Sequence, residues 1–110
     1  METVAGNLFA DVPRSLVAER IDVLVTLRTA RVERIVSTGH VTPSGEWYDQ
    51  DTDEWVVLLT GSARLRFEDE PAARELRPGD WVMIRAHRRH RVDATDRDTP
   101  TVWVAVHVTG

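Results

Sequence analysis

The chain has 110 residues, 42% of them hydrophobic and 29% charged, enough for one hydrophobic core and too few for two. It contains no cysteine, and all fourteen basic residues are arginine, so disulfides, thiolate metal sites, cysteine nucleophiles and lysine Schiff bases are excluded. A net charge of −4 argues against a nucleic-acid partner, and the apolar runs Trp55–Leu59 and Val102–Val106 fall far short of the roughly 20 residues that cross a bilayer.

In chain order, Glu2 and Asp11 stand where an export signal would be basic and then apolar, so a cytoplasmic protein without a membrane partner is expected. Pro13–Arg20 predicts one or two helical turns at most. Ile21–Leu27 alternates, with Ile21, Val23 and Val25 opposite Asp22 and Thr26, and predicts a strand; Val32–Ser37 predicts a second. Thr38–Gly45 mixes Thr, Gly, Pro and Ser and reads as a loop. Glu54–Thr60 is the most informative strand. Its two faces, Glu54, Val56, Leu58, Thr60 and Trp55, Val57, Leu59, are both largely apolar, so both must be covered. Gly61-Ser62 predicts a tight hairpin turn into Ala63–Phe67, whose Arg64 and Arg66 face water. Arg77-Pro78-Gly79-Asp80 has proline and glycine where a type II turn needs them. Trp81–Ile84, His90–Val92 and Thr101–Val108 complete the strands. Short strands at this spacing, without a sustained helical period, predict an all-β sandwich or barrel.

Two of these segments form a pattern. Asp53-Glu54 to Thr60-Gly61, and Pro78-Gly79-Asp80 followed by His90 eleven residues after Gly79, resemble the two motifs of the cupin superfamily, over about Val32 to Val108. The resemblance implies a small jelly-roll β-barrel: one domain, with a short irregular or helical N-terminal arm at about 1–20 and the barrel at about 21–109. It further implies a divalent metal inside the barrel, held by two histidines, a glutamate and a second-motif histidine. Alternate strand residues can share such a site because they point into one cavity. Glu54 and His90 match that pattern. The first-motif histidines are replaced by Tyr48 and Gln50, or at the longer spacing by Trp47 and Asp49, and the proline and glycine of the second motif by Arg85 and His87. The implied ligands are Gln50, Glu54 and His90, an oxygen-rich set for weakly held zinc, manganese, iron or nickel, with Tyr48 or Asp49 handling protons. The competing arrangement is a hydrogen-bonded Glu54 and His90 pair without metal.

Arg85, Arg88, Arg89 and Arg91, with His87 and His90, form the one basic cluster. Trp47, Arg85, His87 and Arg88 are expected to contact a small anionic organic molecule at the barrel mouth; neutralisation by Asp49, Asp51 and Asp53 is the alternative. His40 is expected in a solvated loop, and His107, which shares a face with Trp103 and Ala105, as a packed, hydrogen-bonded residue. The expected function is that of a metal-dependent enzyme of open reaction type, or alternatively a non-catalytic small-molecule binder. The apolar Trp55, Val57 and Leu59 face predicts a homodimer.

Overall fold

The computed structural model describes residues 3–109. Eight strands follow in chain order: β1 (Arg20–Thr26), β2 (Ala30–Ser37), β3 (Asp53–Thr60), β4 (Ala63–Phe67), β5 (Arg74–Leu76), β6 (Trp81–Ile84), β7 (His90–Thr95) and β8 (Thr101–Val108). All pair antiparallel, in a five-stranded sheet ordered β1-β2-β8-β3-β6 and a three-stranded sheet ordered β5-β4-β7. The protein is all-β, and among the described residues no helix is long and apolar enough to cross a membrane. Pro13–Arg20 forms no helix. The arm instead bonds to the outside of the five-stranded sheet: the Leu16 N–H donates to Thr38 Oγ1, and Arg34 Nη1 donates to the carbonyls of Leu8 and Ala10. β5 is a strand that sequence pattern does not announce, because three residues are too few to alternate; it exists through pairing with β4.

Two turns show why glycine stands where it does. Gly61, at φ 79°, joins β3 to β4, and a Cβ there would lie 2.7 Å from Thr101 Cα. Gly79, at φ 94°, completes the Arg77–Asp80 turn, closed by the Asp80 N–H on the Arg77 carbonyl at 2.9 Å.

The sheets face each other across a core that includes Val56, Leu58, Leu65, Phe67, Ile84, Trp103 and Ala105. Strand alternation sends Glu54, Val56 and Leu58 of β3, and Trp103, Ala105 and His107 of β8, to this inner face. The opposite face of β3 is only half covered: Trp55 packs against Trp81 with ring centroids 6.2 Å apart, and Trp81 is 61% exposed. Because one sheet has five strands and the other three, the inner face around β1 reaches past the strands opposite. The loop before β3 fills part of the gap: Tyr48 bridges to His90, and the Thr42 N–H donates to the Val92 carbonyl. Ile21 and Val23 remain more than half exposed beyond it.

Candidate functional site

Between the sheets lies a cavity of about 100 Å³. Ile21, Ile35, Val56, Leu65, Ile84, Val92 and Trp103 form its apolar walls, and Glu19, Glu33, Tyr48, Gln50, Glu54, His90 and His107 its polar ones. Register explains the convergence. His107 of β8 lies directly opposite Glu54 of β3, so both side chains point to one face; Glu33 of β2 lies opposite Ala105, whose methyl leaves it room to approach them. His90 comes from the other sheet, with Nε2 3.9 Å from Glu54 Oε1. His107 Nε2 is 3.2 Å from Glu33 Oε1 and 4.0 Å from Glu54 Oε2.

Hydrogen bonds settle where the histidine protons sit. His90 Nδ1 is 2.8 Å from the Arg88 carbonyl, which can only accept, so Nδ1 carries the hydrogen and Nε2 is left bare toward Glu54. His107 Nδ1 is 2.9 Å from Thr52 Oγ1, and its Nε2 faces carboxylates, which assigns the hydrogen to Nε2. Burial pushes both imidazoles below their ordinary pKa, so they are neutral at pH 7 and the contacts with Glu54 are not ion pairs. For Glu54, burial, reinforced by the neighbouring Glu33, pushes the carboxyl up to about 7, against a lowering hydrogen bond from Gln50. Burial, with Glu19 nearby, also holds the Tyr48 phenol above its usual pKa, so it stays a protonated donor. Three buried polar atoms of wall residues have no partner: Gln50 Oε1, Glu54 Oε1 and Trp103 Nε1. Buried polar groups are nearly always satisfied, so these three point to an occupant of the cavity.

The structure therefore brings Tyr48, Gln50, Glu54 and His90 together on one cavity. It places the other sequence candidates elsewhere. Asp49 holds His87 at 2.8 Å on the exterior. Arg85 lies 3.7 Å from Asp53, Arg88 binds Asp69 and Glu70 and sits 3.7 Å over the Phe67 ring, and Arg89 pairs with Glu68. Trp47 stacks under Arg89 and Arg91. None of Trp47, Asp49, Arg85, His87 or Arg88 lines the cavity, because the acidic turn Glu68-Asp69-Glu70 and the acidic loop before β3 engage the arginines and His87 outside the barrel. His40 is not merely solvated: with Glu19, Thr42 and Tyr48 it lines an adjoining cavity.

Sequence reasoning missed Glu33 and undervalued His107. The signal for Glu33 was its place two residues before Ile35, on the same strand face as an apolar residue. For His107 it was the shared face with Trp103.

The donors fit a tightly held metal poorly. Gln50 offers only an amide oxygen, Glu54 a carboxyl raised to about 7, and among the described residues no group of three His, Cys, Asp or Glu is placed to hold an ion. His87 adds a second departure from the cupin pattern: it occupies the second-motif glycine position and takes φ 65°, the left-handed conformation that glycine there would adopt freely.

A cupin domain family model matches residues 35–107. Among solved structures, a Ralstonia eutropha protein named "putative mannose-6-phosphate isomerase" is 47% identical, with 96% of this chain and 98% of that one covered and a TM-score of 0.94. An RmlC-like cupin with a double-stranded β-helix fold from Methanocaldococcus jannaschii, 15% identical over 88% of this chain and 85% of that one, has a TM-score of 0.68 and shares the fold. No curated protein gave a significant match. With the family model covering most of the chain and both sheets of the fold accounted for, this protein is a member of the cupin domain family.

Proposed function

We propose that this cupin is a proton-transfer enzyme of the isomerase type, acting on a small hydroxy-carbonyl compound with Glu54 as its general acid and base. The observation that carries the reading is Glu54 Oε1, buried without a partner in a ligand-sized cavity and facing the bare Nε2 of His90. A carboxyl with a pKa of about 7 is half protonated at neutral pH, so it can take a proton from carbon and return it. In an aldose–ketose shift Glu54 would move the proton between adjacent carbons, while His90 would pass the hydroxyl proton between the two oxygens, leaving atoms and charge balanced. The name carried by the Ralstonia eutropha protein, 47% identical, supports an isomerase. The test is incubation with a panel of aldoses and ketoses, free and phosphorylated, in deuterated water. The parent should exchange the hydrogen next to the carbonyl, and Glu54→Gln should lose roughly 10²- to 10⁴-fold in rate. Exchange at the parental rate in that variant removes Glu54 from the chemistry, and binding without exchange in the parent indicates a non-catalytic binder.

The orphaned Gln50 Oε1 and Glu54 Oε1 favour one second reading, a divalent ion held weakly between them and His90. Elemental analysis showing about one ion per chain, lost in His90→Ala, would establish it; a metal-free protein with full exchange activity would remove it. The half-covered Trp55 and Trp81 face and, at the opposite edge of the sheet, the exposed Ile21 and Val23 support a homodimer as part of this proposal. Light scattering should give twice the chain mass at micromolar concentration; a monomer would contradict it.

A further inference from the structure

The unpartnered atoms of the cavity specify more than the presence of an occupant. Gln50 Oε1 and Glu54 Oε1 stand without a partner on one side of the account and Trp103 Nε1, which can only donate, on the other. A hydroxyl group both donates and accepts, so a chain of neighbouring hydroxyls answers all three. An ammonium group cannot accept from the indole, and a phosphate ester has little to donate to Gln50. The apolar walls of Ile35, Val56, Ile84 and Val92 suit the C–H faces of such a chain. Charge points the same way. Glu19, Glu33 and Glu54 line the cavity and no arginine does; Arg31, two residues before Glu33 on β2, is held by Glu33 at 2.9 Å.

We propose that the cavity accepts a small, uncharged hydroxy-carbonyl compound, and that it discriminates against the phosphate ester of the same compound. This rests on the proton-transfer reading for the carbonyl and on the unpartnered atoms for the rest. It departs from the phosphorylated sugar in the name of the Ralstonia eutropha protein, and from the anionic ligand expected on the sequence.

Binding measured without turnover tests it. Dihydroxyacetone, dihydroxyacetone phosphate and ethanolamine are titrated into the full chain by calorimetry and by ligand-observed NMR. Dihydroxyacetone should bind about tenfold or more tighter than either of the other two, a difference of about 1.4 kcal/mol. Trp103→Phe, which keeps the ring and removes the donor, and Gln50→Leu should each weaken it about fivefold or more while phosphate binding is unchanged. The proposal is overturned if the phosphate ester binds as tightly as the free ketose, if ethanolamine binds more tightly, if dihydroxyacetone does not bind, or if both variants bind it like the parent. Tight phosphate binding that Arg31→Leu abolishes would also overturn it, Arg31 having left Glu33 to hold the ester. Loss of solvent exchange with binding intact would sink the proton-transfer reading alone, and exchange of the phosphate ester but not the free ketose would sink the substrate class alone.

Discussion

His87 and His90 stand three residues apart, each beside a carboxylate, and their pKa values move in opposite directions. The His87 and Asp49 side chains are 65% and 49% exposed and bonded at 2.8 Å; those of His90 and Glu54 are 6% and 8% exposed and 3.9 Å apart. Outside, the hydrogen bond to Asp49 raises the His87 pKa. Inside, burial lowers His90 and raises Glu54 to about 7, so a half-protonated carboxyl stands beside a neutral imidazole at neutral pH. A histidine beside a carboxylate thus makes a solvated hydrogen-bonded pair in one place and a buried pair with opposite pKa shifts in the other, and the difference is whether the pair stands in water or between the sheets.

The largest effect expected from this contrast is on the pH dependence of stability. Glu54 has a folded pKa above its unfolded value of 4.5, so the folded state binds the extra proton between pH 4.5 and about 7, and stability is lost as pH rises through that window. The neutral Glu54→Gln lacks this dependence. Relative to the parent it should gain about 3 kcal/mol on going from pH 4.5 to pH 8, read by urea denaturation at both pH values. His90 and His107 act in the opposite direction, their lowered pKa values costing stability only as pH falls below 6.5. No change in that difference would mean that Glu54 ionises like a surface carboxylate.

A smaller effect sharpens the contrast from the histidine side. Proton NMR titration should place the His87 ring above 6.5 and the His90 ring below it. Asp49→Asn should bring His87 down and leave His90 where it was; a coupled shift of both rings would show that the two pairs are not independent. The smallest effect concerns the backbone. His87 holds φ 65° at the glycine position of the second motif, so His87→Gly should melt roughly 3 °C above His87→Ala, both variants having lost the imidazole. Equal melting points would show that the position carries no strain.

Much of the fold was legible because alternation is a local property: Glu54–Thr60 and Ala63–Phe67 recur almost unchanged as β3 and β4. β5 was not, since its three residues are a strand only through Ala63 and Leu65 across the ladder. The site divides the same way. Glu54 and His90 could be found because motif spacing survives, and Gln50 and Tyr48 by counting from them. For Glu33 alternation could give only the inner face it shares with Ile35; its approach to His107 depends on the register of β2 against β8 and on the small Ala105 beside it, none of which is written near Glu33. The arginine cluster misled for a related reason. Arg88 is close to His90 in sequence, but its partners Asp69 and Glu70 are brought to it by the turn after β4.

The central claim is that Glu54 is the proton-carrying group of the cavity, and its own titration tests that most directly. Carbon-13 NMR of the side-chain carboxyls, with the Glu54 resonance assigned by its disappearance in Glu54→Gln, should show a midpoint near 7, with Glu33→Gln moving it down while burial keeps it above 4.5. A midpoint at the ordinary 4.5 in the parent would contradict the account, because a carboxylate already ionised at neutral pH could not hold the proton that the proposed reaction returns to carbon.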